Sequence, residues 1–381
     1  MKKNNLIFTH KVLKAIADSM IQIFIPLYIL KQTGELWLAL SYLAIYSTFV
    51  ILGNLCFKKF IQKFGIVAIM LHFVPIIATE AILSFCKLNI LTLLICALLM
   101  GIAQSLYSVP INLIFTFGDK DTNVAKFQIA SNVGKLSFVL VSGFVLSSTI
   151  TNSFLIMCIV SSVFYIACVI PILFAYNLLK QNHENMIQNA TKVQPDKTYK
   201  KFVLFHVGFG TFQACLDNCL PLYLFINNLS FQSVTIIIAI IELCKILANY
   251  VAKLLVKHGK EKVSFIISCS VFLICIVCLL TFKIPVVLYV FSCLCSLSFP
   301  LTFVPMFKKY CTYLTDLSNV FDGMVYRDVY IFSCRPLLYC SYFCGLGLYA
   351  CFGVGIISMI AMFVSELKLI DSKNEIEKIN N

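Results

Sequence analysis

Two carboxylates and two amides occupy matching places in a mostly apolar chain. Asp18 and Gln22 lie one helical turn apart, and Gln213 and Asp217 repeat the pair 195 positions later with acid and amide exchanged. Apolar surroundings penalise the charge of a carboxylate, which suits such a group to taking up and releasing a proton. Asp18 and Asp217 are therefore candidate proton-coupling groups; a hydrogen-bonded structural acid is the plainer reading of each. Glu242 is a third candidate. In Glu242-x-x-Lys245 the opposite charges share one helix face, either as a self-neutralising pair or as an acid that exchanges a proton, Lys245 and a ligand.

The cationic side chains are as restricted. Two arginines occur, Arg327 and Arg335, and both flank Asp328. A guanidinium is a fixed charge with a planar fork suited to carboxylate or phosphate. Lys135 lies at roughly the corresponding place in the first half, so Lys135 and Arg335 together would make a cavity electropositive. Salt bridges to neighbouring acids, or snorkelling, explain them as well, and for Arg327 that is the favoured reading. Gln104, Ser108 and Asn112, spaced by four, form a polar stripe that either contacts a ligand or hydrogen-bonds between helices. Glu80 is a weaker gate candidate. His72 and His206 read as satisfied helix residues.

The elements that carry these residues are long and apolar. Of 381 residues, 60% are hydrophobic and 12% charged, with mean hydropathy +0.92, a composition that would leave a soluble protein with far too much apolar surface. Runs of about 20 apolar residues, each able to cross a bilayer core, recur along the chain. They predict an all-α membrane protein with spans at 12–30, 36–57, 66–86, 88–112, 128–149, 153–176, 202–226, 232–254, 263–282, 284–306, 328–347 and 348–365. The net charge of +13 is topological and does not indicate a nucleic-acid partner. Of the 30 Lys+Arg, only Lys31, Lys87 and Lys283 fall in connections on one side, and Lys135, Lys245 and Arg335 lie deep in spans. The rest gather on the side of both termini, which the positive-inside rule places in the cytoplasm of a plasma (inner) membrane. The 18 cysteines lie mostly within apolar spans and act there as small hydrophobes; no metal site or cofactor is expected.

The pairing at offset 195 extends beyond the acids. Pro26-Leu27-Tyr28 faces Pro221-Leu222-Tyr223, Asn54 faces Asn249, and Val109-Pro110 faces Val304-Pro305. Such register predicts a duplicated six-helix unit, with bundles at 1–176 and 202–365, a polar and basic linker at 177–201, and a tail at 366–381. Pro26 and Pro221 interrupt helical regularity near one end of their spans. With Tyr28 and Tyr223 they are gate candidates; packing kinks and interfacial anchors are the plainer reading.

Two parallel six-helix units, both termini on one side and a basic central loop resemble the major facilitator superfamily of secondary transporters over essentially the whole chain. The resemblance implies a central cavity lined by helices 1, 4, 7 and 10, and a glycine turn with basic flanks after helices 2 and 8. Here those loops read Gln62-Lys63-Phe64-Gly65 and Val256-Lys257-His258-Gly259-Lys260, which keep the glycine and basic residues but lack the family's acid. The Gly-Pro pattern of drug–proton antiporters is absent from helix 5. The expected function is solute movement by alternating access, coupled to protons, by a monomer. An uncoupled facilitator and a non-transporting receptor or assembly factor remain alternatives. No HExxH, GxSxG, GxGD or Walker-type loop occurs, so an enzyme is not expected.

Overall fold

Backbone polar groups inside a bilayer have no water to bind, so an apolar run closes its hydrogen bonds within a helix. The computed structural model, which describes residues 3–116, 120–148, 152–188, 197–316 and 320–380, is helical throughout. The order is α1 (Lys3–Met20), α2 (Ile25–Thr33), α3 (Leu36–Cys56), α4 (Lys58–Leu71), α5 (Phe73–Phe85), α6 (Ile90–Thr116), α7 (Lys120–Ser147) and α8 (Ser153–Gln188). There follow α9 (Lys197–Ala214), α10 (Leu220–Ile226), α11 (Phe231–Lys257), α12 (Glu261–Thr281), α13 (Pro285–Ser296), α14 (Ser298–Asp316), α15 (Val320–Ser333), α16 (Arg335–Cys340) and α17 (Leu348–Asn380).

Among the described residues nine helices are long and apolar enough to cross a membrane, and a tenth forms if α4 and α5, bent by 44°, count as one span. The remaining two expected spans are α9 with α10, and α15 with α16. Their length is divided by breaks, and each carries charge: Asp217 in the first, Arg327, Asp328 and Arg335 in the second.

Local chemistry fixes the turns. Gly34 and Gly259 end α2 and α11 at φ 70° and 67°, a left-handed conformation glycine adopts without a Cβ penalty. The Asn89 side chain accepts from Thr92 N at 2.9 Å to cap α6, and Ser230 accepts from Ser233 N at 3.1 Å to cap α11. Gly65 departs from expectation: it lies within α4, and the non-helical residue is its neighbour Phe64 (φ −129°, ψ 35°). The bend therefore falls on a bulky residue that stays in the allowed φ range, and Gly65 is needed for no left-handed turn. The expected linker is also partly helical. α8 continues to Gln188 because 177–188 contains neither Pro nor Gly, and Lys180–Glu184 spans one turn at 3.8 Å; 189–196 lie outside the described residues. α17 likewise runs into the expected tail.

Helices α1 and α3–α8 pack on one another, as do α9 and α11–α17; α7 along α11 and α3 against α15 and α16 join the two sets. Close approach is bought by small residues: a Cβ on Gly134 would meet Val12 O at 2.7 Å across α1 and α7, and one on Gly210 would meet Ile331 O at 1.7 Å across α9 and α15.

Candidate functional site

Two broken helices form the middle of the molecule. Proline lacks an N–H and clashes with the carbonyl four residues earlier, so an α-helix cannot pass through it undisturbed. Before Pro26 the chain tightens into a 3₁₀ turn, Gln22–Phe24, with Ile25 N donating to Gln22 O. Before Pro221 it widens into a π turn, Cys215–Cys219, with Leu220 N donating to Cys215 O. Asp217 sits inside that π turn, a feature that often marks functional positions.

Between the two sets of helices lies a cavity of about 390 Å³. Gln22, Gln104, Ser108, Asn112, Lys135, Gln213, Lys245 and Arg335, all singled out from sequence, line it, together with Asp18, Asp217 and Pro26. Sequence reasoning missed Lys11, Lys14, Tyr46, Asn132, Asn218, Phe299, Phe303 and Phe332 in the same wall. The lining runs from Ile25 and Pro26 towards Lys11, Asn112 and Gln128, at the end that carries both termini. At the opposite end Phe24 stacks on Phe231 at 5.7 Å between ring centroids, and Lys31 reaches Leu146 O at 2.9 Å while lying over the Phe231 ring.

The charged groups form three clusters. Lys14 Nζ donates to both Asp18 oxygens at 2.9 and 2.7 Å, and Tyr165 OH donates to Oδ1 at 2.7 Å. Lys245 Nζ lies 3.1 Å from both Asp217 Oδ1 and Glu242 Oε1. Gln213 extends this second cluster, donating to Asp217 Oδ2 at 3.3 Å and accepting from Arg335 Nη2 at 2.8 Å. The third is the pair Arg327–Asp328, at 3.0 Å. The expected carboxylate–amide pair thus forms at Asp217 but not at Asp18, where a lysine one turn earlier takes the acid and Gln22 Nε2 has no partner among the described residues. That lysine was legible as an i,i+4 partner on the same face.

The three candidate acids differ in access. Asp217 is 37% exposed in its side chain and Asp18 19%, whereas Glu242 is 3% exposed, lies behind Lys245 and does not line the cavity. Glu80 is buried between α5 and α8, accepting from Ser161 and Ser162 at 2.8 and 3.3 Å, and does not line the cavity. Tyr28 stacks on Phe154 and Tyr223 OH donates to Leu279 O, each partner lying in the same set of helices as its tyrosine. Phe24 and Phe231 instead meet across that end. Pro221 and Gly259 do not line the cavity either. His72 is not isolated: its ring lies 6.4 Å from His10 and 4.6 Å from Tyr107. His206 packs on Tyr310 at 4.4 Å. All 18 cysteines are free thiols.

Residues 7–315 match the Major Facilitator Superfamily. No curated protein matches the chain in sequence. The solved structures that share the fold include two of a bacterial homologue of the iron transporter ferroportin in an outward-facing state. The one with soaked iron is 12% identical with TM-score 0.69, covering 97% of this chain and 99% of that one. The one without soaked iron has the same identity and TM-score, covering 98% and 100%.

Proposed function

Since the chain belongs to the major facilitator superfamily, we propose that this membrane transporter is a proton-coupled secondary transporter, moving a small solute by alternating access between bundles 1–176 and 202–365. It acts as a monomer in the plasma membrane with both termini in the cytoplasm, and the cavity opens to that side. The observation that carries the coupling is Asp217. It is a carboxylate in a π turn of a broken span, accessible from the cavity and bonded to groups from two other helices, Lys245 directly and Arg335 through Gln213. Protonating it weakens the contact with Lys245 and frees the amide, so the arrangement of α9, α11 and α16 responds to the proton. Such differential stabilisation is what shifts a two-state equilibrium.

The iron named for the structurally similar proteins is not carried over. The cavity wall holds Lys11, Lys14, Lys135, Lys245, Arg327 and Arg335 against Asp18, Asp217 and Asp328, and its lining contains no His or Cys. That donor set disfavours a divalent cation.

The test is reconstitution into liposomes containing a pH dye, with a library of metabolites added outside. A solute that drives proton movement through the wild type but not through Asp217→Asn supports the proposal. A solute that crosses at the same rate with and without a pH gradient makes the protein a facilitator.

A further inference from the structure

Three cations in the cavity wall form no ion pair with a carboxylate among the described residues. Lys14 has Asp18, Lys245 has Asp217 and Glu242, and Arg327 has Asp328. Lys11 and Lys135 make no ion pair or hydrogen bond with any described residue. Lys135 is nevertheless near enough to act electrostatically on both Asp18 and Asp217.

Arg335 is the most demanding of the three. It is 7% exposed, and its guanidinium stacks on the Phe332 ring at 4.0 Å. Its partners among the described residues are neutral: Ile331 O at 3.3 Å from Nε and Gln213 Oε1 at 2.8 Å from Nη2. A buried charge without an opposite charge is expensive unless something else supplies it. Asp328 is near enough to act electrostatically on Arg335, but its ion pair is with Arg327 at 3.0 Å and that of Asp217 is with Lys245 at 3.1 Å, so neither acid forms an ion pair with Arg335.

Resting on the transport reading above, we infer that the solute is an organic oxyanion, a carboxylate or phosphate. Its charged end binds Arg335 and Lys135, and its body lies against Phe299, Phe303 and Phe332. A guanidinium fork with one side still open matches an oxyanion in geometry as well as charge. The aromatic wall supplies the apolar contact that small-molecule sites use for affinity, and about 390 Å³ falls within their usual range of roughly 300–1,000 Å³. Asp217 is the internal competitor. While ionised it holds Lys245 and polarises Gln213 against Arg335; once protonated it leaves more positive charge for the incoming anion. Proton and anion then favour each other's binding, and by linkage the effect is reciprocal.

The experiment measures binding and flux separately. Purified wild type in detergent is titrated with benzoate, phenyl phosphate, benzyl alcohol and benzylamine, and with the corresponding hexyl series, with thermal shift as readout. Compounds that bind are then tested for flux in liposomes. Anions that stabilise the protein where their neutral and cationic counterparts do not support the inference. So does a loss of at least about tenfold in anion affinity in Arg335→Gln or Lys135→Gln. Lys135→Gln removes no hydrogen bond to a described residue, so it remains informative if Arg335→Gln does not fold. Comparing carboxylates with phosphates decides between the two oxyanions. An anion series that shifts stability no more than the alcohols and amines, or unchanged anion affinity in both variants, overturns the inference. Anion binding without flux would refute transport while leaving the site; flux of an amine or alcohol alone would do the reverse.

Discussion

Replacing Lys245 with Met should destabilise the protein more than any single change at the cavity acids. The reason lies in the unequal burial of its two partners. Among the described residues Glu242, 3% exposed, accepts only from Lys245 through Oε1 and has no partner at Oε2. Removing Lys245 leaves that carboxylate buried and uncompensated, a change that costs about 3–5 kcal/mol. Asp217 is 37% exposed and keeps Gln213, so its share of the loss resembles that of a solvated pair, about 0–1 kcal/mol. Lys245→Met alone should therefore cost about 3–5 kcal/mol, and Glu242→Gln with Lys245→Met should recover to within about 1 kcal/mol of wild type. The coupling in the double-mutant cycle would be at least about 2 kcal/mol. Equilibrium unfolding in mixed micelles reads all four proteins. A single variant within about 1 kcal/mol of wild type, or a double variant as unstable as the single, refutes the assignment of Lys245 as the sole compensation for Glu242.

Other consequences are local. Gly210→Ala puts a methyl 1.7 Å from the Ile331 carbonyl, and Gly353→Ala meets nothing within 4 Å; the first should lose about 3 kcal/mol or more and the second gain up to about 1, read as opposite shifts in melting temperature. Lys31→Gln removes a hydrogen bond to Leu146 and a cation–π contact with Phe231, worth together about 1–2 kcal/mol. Hydrogen exchange over 25–33 and 220–226 should rise at least about fivefold, and unchanged exchange would remove Lys31 from the closure. Glu80→Gln keeps an acceptor for Ser161 and should retain flux, whereas Glu80→Leu removes the side-chain acceptor of both serines, leaving Ser161 only Ala17 O at 3.4 Å, and should cost about 1–3 kcal/mol. Loss of flux in a stable Glu80→Gln protein would mean that Glu80 takes part in transport.

The apolar runs were legible because a span needs only length and composition: 36–57 became Leu36–Cys56 and 232–254 became Phe231–Lys257. Intramembrane polar residues were legible for a related reason. They are too costly to face lipid, so Gln104, Lys135 and Arg335 turn up in one wall. What sequence hid was rotation and partnership. Tyr28 and Tyr223 follow the same Pro-Leu yet point to Phe154 and Leu279, because their rings settle against helices whose position no local pattern encodes. The Phe24–Phe231 closure is likewise a contact between two ordinary apolar residues far apart in the chain. Gly65 misled for another reason: a glycine in a loop motif need not be where the backbone turns, and here Phe64 is.

Whether Asp217 carries the coupling proton is decided by Asp217→Asn in liposomes loaded with the solute identified by flux. The amide preserves shape and the Gln213 contact but cannot exchange a proton. If Asp217 carries it, the variant still exchanges labelled for unlabelled solute across the membrane while losing accumulation driven by a pH gradient. Accumulation at the wild-type level would contradict it.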